Sequence, residues 1–342
     1  MAPSSRTTLR RLGVLVAGAA VVTALTAATA AAAPPGPMAA PAADSTRPDP
    51  GPATGTGRPP PGYVLERGRF TPVTLPPGVE DPTALGIGPI DLNDRRQIVG
   101  SYDDVAADAT RGFLLMRGRF ATVHVPGAMS SQAQGINNRG QIVGVYSTDS
   151  NAISAPDATR RGFLLDRGRY VRLDVPGARD TNAFDINDRG QVVGQYEDAD
   201  GRFHGYVWQW GRFRTIDVPG QSSTDATGIN NRGQITGITG PVQASVGFVL
   251  DRGRFTTFRV PGAQATASYG INDQGQIVGF SISGPTATGP SGFLRDARGR
   301  FTAINRPGAV GTAAFDINNR GQIAIIAPSP PPTDPPPMGR MA

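Results

Sequence analysis

The sequence predicts an all-β protein, a six-bladed β-propeller whose first and last segments close one shared blade, and three observations carry that prediction. A pattern of Gly-aromatic-apolar, Arg-Gly-Arg-Phe, Val-Pro-Gly and Ile-Asn-Asn/Asp-Arg-Gly-Gln-Ile-Val-Gly recurs six times. Its opening glycines, Gly62, Gly112, Gly162, Gly205, Gly247 and Gly292, stand 50, 50, 43, 42 and 45 residues apart, a period in the range of a propeller blade. Each unit holds four short segments rich in β-branched or aromatic residues and separated by Gly or Pro, as in Gly247 to Leu250, Arg254 to Val260, Thr266 to Asn272 and Gln276 to Phe280. Finally, the repeats begin at Tyr63-Val64-Leu65 and end at Ile323-Ala324-Ile325-Ile326. They open with two strands of a unit and close with the other two, so one blade can be shared and no sheet edge is left free.

Ahead of the repeats, Arg6, Arg10 and Arg11 precede an uncharged run from Leu12 to Ala33, the charged and apolar regions of an export signal. Ala30-Ala31-Ala32 offers a cleavage site just before Pro34 and Pro35, so residues 1–33 read as a signal and the mature chain is expected to be secreted. An uncleaved anchor is the alternative, because the run is just long enough to span a bilayer. Arg10-Arg11 invites a twin-arginine route, but Gly13 follows where that signal prefers a large apolar residue. Residues 34–61 and 328–342 are proline-rich and read as disordered linker and tail, and the repeats fill 62–327. No later segment reaches the ~20 apolar residues of a spanning helix, so no membrane span is expected after cleavage.

All 33 basic residues are arginines, against 27 acidic ones, for a formal charge of +6. No dense basic run interleaved with aromatics appears, which argues against nucleic acid as a partner. Cysteine is absent, so the fold is held by its apolar core alone or by metal rather than by disulfides, and a body of this size can bury such a core. A monomer is expected.

Within a unit the turns have a mechanism. Asn230-Asn231-Arg232-Gly233 sets an Asx residue at the head of a type I turn and Gly where φ must be positive, the three-residue hairpin with a bulge. The first unit has Arg96 in place of that Gly, which makes its turn strained or differently built. Segments such as Gln141-Ile142-Val143 and Phe163-Leu164-Leu165 are apolar on consecutive residues, so both faces of the sheet are covered. A ring of blades supplies that cover. A β-solenoid would as well and is the alternative fold, although it needs caps at both ends and none is visible. Small residues before Ile-Asn, as in Ala133-Gln134-Gly135 and Ala226-Thr227-Gly228, mark the crowded innermost strand A. Gln-Ile-Val-Gly is then B, Gly-Phe-Leu-Leu is C, and Arg-Phe to Val is D.

At this point the units resemble the HAF family of extracellular repeats, named for a His-Ala-Phe tripeptide followed by Leu-Trp and an Ile-Asn-x-x-Gly-Gln-x-x-Gly segment. His204-Gly205-Tyr206-Val207-Trp208 matches the first part, with Gly in place of Ala, and units two to five match the second. Arg111, Arg161, Val246, Ser291 and Pro61 replace the His elsewhere, and the sixth unit ends in Ala324-Ile325. The resemblance spans about residues 62 to 327 and implies export. It brings no catalytic residues with it.

The strand order sorts the loops between two faces. A-to-B and C-to-D turns share one, expected to be basic and uniform, with Arg139, Arg189, Arg232, Arg320 and the pairs Arg67/Arg69, Arg117/Arg119, Arg167/Arg169 and Arg252/Arg254. B-to-C and D-to-A loops share the other, expected to be acidic and variable, with Glu80, Asp81, Asp103, Asp104, Asp108, Asp157, Asp180, Glu197, Asp198, Asp200 and Asp225. Binding residues tend to sit on such loops, so Asp103, Asp104, Glu197, Asp198 and Asp200 are candidate ligand-binding residues. Trp210, which replaces a turn arginine, joins them because an exposed Trp can stack on a sugar ring. Clustered loop carboxylates can hold Ca²⁺ or act as a glycosidase pair, although no segment has calcium-loop spacing; otherwise they are solvated turn formers. No cofactor is expected. His124 reads as a solvated strand residue and His204 as structural, so little remains for a Ser-His-Asp triad. The first functional reading is a secreted, non-catalytic repeat protein that binds a glycan, an acidic cell-wall polymer or a protein partner. Its alternatives are a carbohydrate-active hydrolase or lyase using loop carboxylates, and a purely structural surface protein.

Overall fold

The computed structural model describes residues 62–74, 88–104, 107–151, 153, 155, 158–284 and 289–330. The segments read from sequence as export signal and linker, residues 331–342 of the expected tail, Glu80, Asp81 and Asp157 lie outside them. Among the described residues no helix is long and apolar enough to cross a membrane.

Twenty-four strands form six four-stranded antiparallel sheets. Blade I is β3 (Gly88–Leu92), β4 (Gln97–Asp104), β5 (Ala109–Met116) and β6 (Arg119–Val123). Blade II is β7 (Ser130–Ile136), β8 (Ile142–Ser147), β9 (Arg161–Asp166) and β10 (Arg169–Leu173). Blade III is β11 (Asp180–Ile186), β12 (Val192–Glu197), β13 (Phe203–Gln209) and β14 (Arg212–Ile216). Blade IV is β15 (Thr224–Ile229), β16 (Ile235–Thr239), β17 (Val246–Asp251) and β18 (Arg254–Phe258). Blade V is β19 (Ala265–Ile271), β20 (Ile277–Ile282), β21 (Ser291–Arg295) and β22 (Phe301–Ile304). Blade VI joins the two ends of the fold in the order β2 (Arg69–Pro72), β1 (Gly62–Glu66), β24 (Ile323–Ile326), β23 (Ala313–Ile317). There Tyr63 lies opposite Ile325, Val64 opposite Ala324 and Leu65 opposite Ile323. The ring is closed by main-chain pairing, which overturns the solenoid alternative.

The repeated motifs explain the blade. The strand C aromatic and the strand D aromatic of each unit meet within it: Tyr63 with Phe70, Phe113 with Phe120, Phe163 with Tyr170, Tyr206 with Phe213, Phe248 with Phe255 and Phe293 with Phe301. Such pairs contribute about 0.5–1.5 kcal/mol each beyond the area they bury. The strand B glycine is there for close approach. A Cβ on Gly194 would stand 1.9 Å from the Asn182 carbonyl oxygen and 2.9 Å from the Tyr206 ring.

The conserved Asn of each A-to-B turn fastens blade to blade. Its Oδ1 accepts the turn's own amides, as Asn137 does from Arg139 and Gln141. Its Nδ2 donates to the main-chain oxygen of the same Asn in the next blade: Asn93 to Asn137, Asn137 to Asn187, Asn187 to Asn230, Asn230 to Asn272, Asn272 to Asn318, and Asn318 back to Asn93. This unbroken circle places the A strands around the axis. The first-unit turn is built like the others, with Arg96 at φ 60° where its counterparts have Gly, its amide bonded to Asn93 and its guanidinium paired with Glu66 at 3.2 Å. Pro328 and Ser329, read from sequence as tail, still hold to the body through Val310 and Arg306.

Candidate functional site

Each A strand carries a β-bulge, between Pro89 and Asp91, Ala133 and Gly135, Ala183 and Asp185, Ala226 and Gly228, Ser268 and Ile271, and Ala314 and Asp316. A bulge leaves a residue outside the ladder and re-aims its side chain. The residues so released, Ile90, Gln134, Phe184, Thr227, Tyr269 and Phe315, are all half-buried although they sit on the innermost strands. They therefore line the axis, with Tyr269 and Phe315 5.0 Å apart between ring centroids.

Toward the turn face the axis is acidic. Asp94, Asn138, Asp188, Asn231, Asp273 and Asn319 alternate around it. The Oδ1 of each accepts the main-chain amide of its neighbour, Asp94 to Asn138, Asn138 to Asp188 and so on round to Asn319 and Asp94. The Asn138 and Asn231 amides each donate to the carboxylates on both sides. Below this ring a cavity of about 60 Å³ is lined also by Asp91, Asp185 and Asp316, room for a few water molecules. Burial, then the charge of Asp316 and a hydrogen bond with it, push the Asp91 carboxyl well up. Burial, then Asp316, raise Asp185 to about 7 against two main-chain amides that pull it down. Burial also raises Asp316, and Asp91 opposes that. The hydrogen bond between the two carboxyls favours the protonated form at Asp91 and the ionised form at Asp316.

Around the acidic centre the turn face is ringed with arginine. Arg95, Arg139, Arg189, Arg232 and Arg320 are exposed on five A-to-B turns, and Gln274 takes the sixth. Arg189 reaches the Asn231 carbonyl on the next turn, as Gln274 reaches Asn319 at 3.2 Å. Farther out, Arg67, Arg69, Arg117, Arg119, Arg167 and Arg169 are exposed with no ion pair among the described residues. The face is thus basic at its rim and acidic at its centre, a correction to the uniform basic face expected from sequence.

The nominated carboxylates do not converge. Asp103 and Asp104 belong to β4 in blade I. Burial raises the Asp103 carboxyl, offset by a hydrogen bond from Thr110 at 3.3 Å, and Asp104 accepts the Ala107 amide. Glu197 ends β12, and Asp198 and Asp200 lie on the B-to-C connection of blade III. There Asp198 accepts the amides of Arg202 and Asp200, Glu197 stands 3.7 Å from Arg179, and Asp200 is exposed. Trp210 is on the opposite face, in the β13–β14 turn at φ 50° and 85% exposed; the arginines of the same slot, such as Arg117 and Arg167, share its left-handed backbone. Two other acidic residues leave the loop face. Asp180 is buried against Arg160 at 2.9 Å, and Asp225 sits on β15 beside Tyr269 of the next blade. Among the described residues no three His, Asp or Glu are arranged to hold a metal ion.

His204 is structural in a specific way. Its Nδ1 meets Asp217 at 2.9 Å and its Nε2 meets Asp198 at 3.0 Å, an arrangement that favours the doubly protonated ring, and that ring stacks on Tyr196. Burial pulls the imidazole down, but the two carboxylates outweigh it and hold it above the ordinary histidine value. The same slot in other blades holds Arg111 and Arg161, which donate to the Met129 and Arg179 carbonyls. The slot fastens the D-to-A loop. His124 bonds Ser131, and burial, then Arg111, lower it.

Closed blades around a lined axis define the class: a six-bladed β-propeller with two chemically unlike ends. No family model and no curated protein matches this chain. Solved structures of similar shape include TolB from Acinetobacter baumannii, 12% identical with a TM-score of 0.44, covering 70% of this chain and 53% of that one. The chain thus spans about half the length of TolB. AofleA from Arthrobotrys oligospora is 12% identical with a TM-score of 0.42, covering 68% and 75%. The six-bladed fungal lectin of Aleuria aurantia is 10% identical with a TM-score of 0.41, covering 63% and 77%. Identities this low bear on shape alone.

Proposed function

We propose that the protein is a secreted, non-catalytic binding module of the HAF-like kind, and that its turn face docks on an acidic glycan or cell-wall polymer. The observation that supports this most is the set of arginines without an ion pair among the described residues, Arg67, Arg69, Arg117, Arg119, Arg167 and Arg169, exposed on short C-to-D turns of three blades. A repeating polyanion meets such a rim at several points at once, and each contact adds without a new pocket. Trp210 offers an apolar ring on the same face for a sugar to stack against. Separation of the nominated carboxylates between blades I and III supports binding over hydrolysis. Retention on immobilised polygalacturonate tests the reading: binding is expected at about 20 mM salt and lost toward about 500 mM, because screening shortens the reach of each charge. Arg117→Ala combined with Arg119→Ala, Arg167→Ala and Arg169→Ala should abolish it with the fold intact. Retention that ignores both salt and these substitutions, or none at low salt, overturns the reading.

A further inference from the structure

Toward the loop face, the axis has a chemistry of its own that the arginine rim does not use. Near that end Asp225 lies on β15, on the side of its strand that faces β19, next to Tyr269. It has no hydrogen-bond partner and no cation beside it among the described residues, and burial alone raises it to about 7. An unpaired, half-buried carboxyl destabilises the protein that carries it, and a cation supplied from outside would pair it. Beside it stands Tyr269, which feels its charge, and beyond Tyr269 stands Phe315 at 5.0 Å, tilted by 52°. A carboxylate next to aromatic faces is the chemistry that receives an ammonium group. Across the axis, on β7, Gln134 and Gln132 share one hydrogen bond of 3.0 Å, which leaves amide donors and acceptors free for hydroxyl groups. Phe184, released by the bulge of β11, adds an apolar surface.

We propose that the loop-side end of the axis binds an amino sugar, with its ammonium on Asp225, its C–H face against Tyr269 and Phe315, and its hydroxyls on Gln132 and Gln134. The hydroxyls explain the amides, which a simple alkylamine would leave unused. The ammonium explains the lone acid, which a neutral sugar would leave unpaired. The ligand charge is opposite to that expected for the turn face, so the two sites select different polymers.

Calorimetric titration of the full chain with a glucosamine disaccharide, its N-acetylated form and cellobiose tests this. The unacetylated disaccharide should bind, and the other two should bind at least ~10-fold more weakly, since each lacks the charge. At pH 7 binding should draw protons from Asp225 while the sugar amine takes protons up, so the Asp225 share is read from the dependence of the heat on buffer ionisation as the difference between the native chain and Asp225→Asn. Asp225→Asn, which keeps the shape and removes the charge, should bring the disaccharides to equal affinity and remove that share. Gln134→Ala should weaken glucosamine and cellobiose alike. Trp210→Ala and the arginine substitutions of the turn face should change none of these values, so failure here is separable from failure of the polyanion reading. Equal binding of the acetylated form, an Asp225→Asn variant that binds as the native chain does, or no heat at millimolar glucosamine disaccharide would overturn the proposal.

Discussion

Truncating Asn230 to alanine should destabilise the protein by about 3–5 kcal/mol. The side chain is 4% exposed and makes four hydrogen bonds. Its Oδ1 accepts the Arg232 and Gln234 amides at 3.0 Å, and its Nδ2 donates to the Gln234 side chain at 2.8 Å and to the Asn272 carbonyl at 2.9 Å. Alanine leaves two amides and one inter-blade carbonyl without their partner, at about 1–3 kcal/mol for a fully buried group and less for the half-buried amides. Urea unfolding followed by tryptophan fluorescence reads the change as a lower midpoint at unchanged slope. Arg232→Ala, in the same turn but exposed, should stay within about 0.5 kcal/mol. A loss below about 1 kcal/mol for Asn230→Ala would refute the view that this side chain fastens blade IV to blade V.

Stability should fall as pH rises from about 4 to 7, since Asp185, ordinarily near 3.8, titrates in the folded protein at about 7. The native state then holds a proton that the unfolded chain has released, so the stability is full below the unfolded pKa and is lost toward the folded one, by about 1.4 kcal/mol per pH unit per proton. Asp185→Asn should flatten that slope, and a stability that climbs over this range contradicts the assignment. The two imidazoles should separate by NMR, His204 titrating above the ordinary histidine value and His124 below it; the reverse order would remove the Asp198–His204–Asp217 staple. Arg160→Ala should lower stability by about 3–5 kcal/mol by leaving Asp180 charged and buried, and a change under 1 kcal/mol measured by urea would show that Asp180 finds water instead.

Architecture was legible because it is written in small residues and turn chemistry. The Asn-x-x-Gly tetrads and the Gly-Phe and Val-Gly pairs fix turns and close contacts locally, and six copies make each position its own control. The split of the first and last strands was legible for the same reason. The site was not, since binding side chains answer to what lies across the axis. Asp225 and Asp180 read as loop acids because Asp is depleted in strands and common in turns, and only the ring shows what stands beside them. One clue was present: the position just before Asp/Gly-Ile/Leu-Asn reads Ile90, Gln134, Phe184, Thr227, Tyr269 and Phe315 while its neighbours hardly change. The alternation of Asp94, Asn138, Asp188, Asn231, Asp273 and Asn319 was another, and it breaks the expectation of a uniformly basic face because the turn that carries the arginines also carries the acids.

The claim that matters most is the pairing of β1 with β24, since every statement about faces and axis follows from a closed ring. The chain has no cysteine, so Val64→Cys with Ala324→Cys introduces the sole thiols, at positions directly opposed in blade VI. Oxidation of dilute protein should give an intramolecular disulfide, with faster migration on a non-reducing gel and a urea midpoint that drops on reduction. Disulfides formed solely between molecules, or none at all in the folded protein, would contradict the ring.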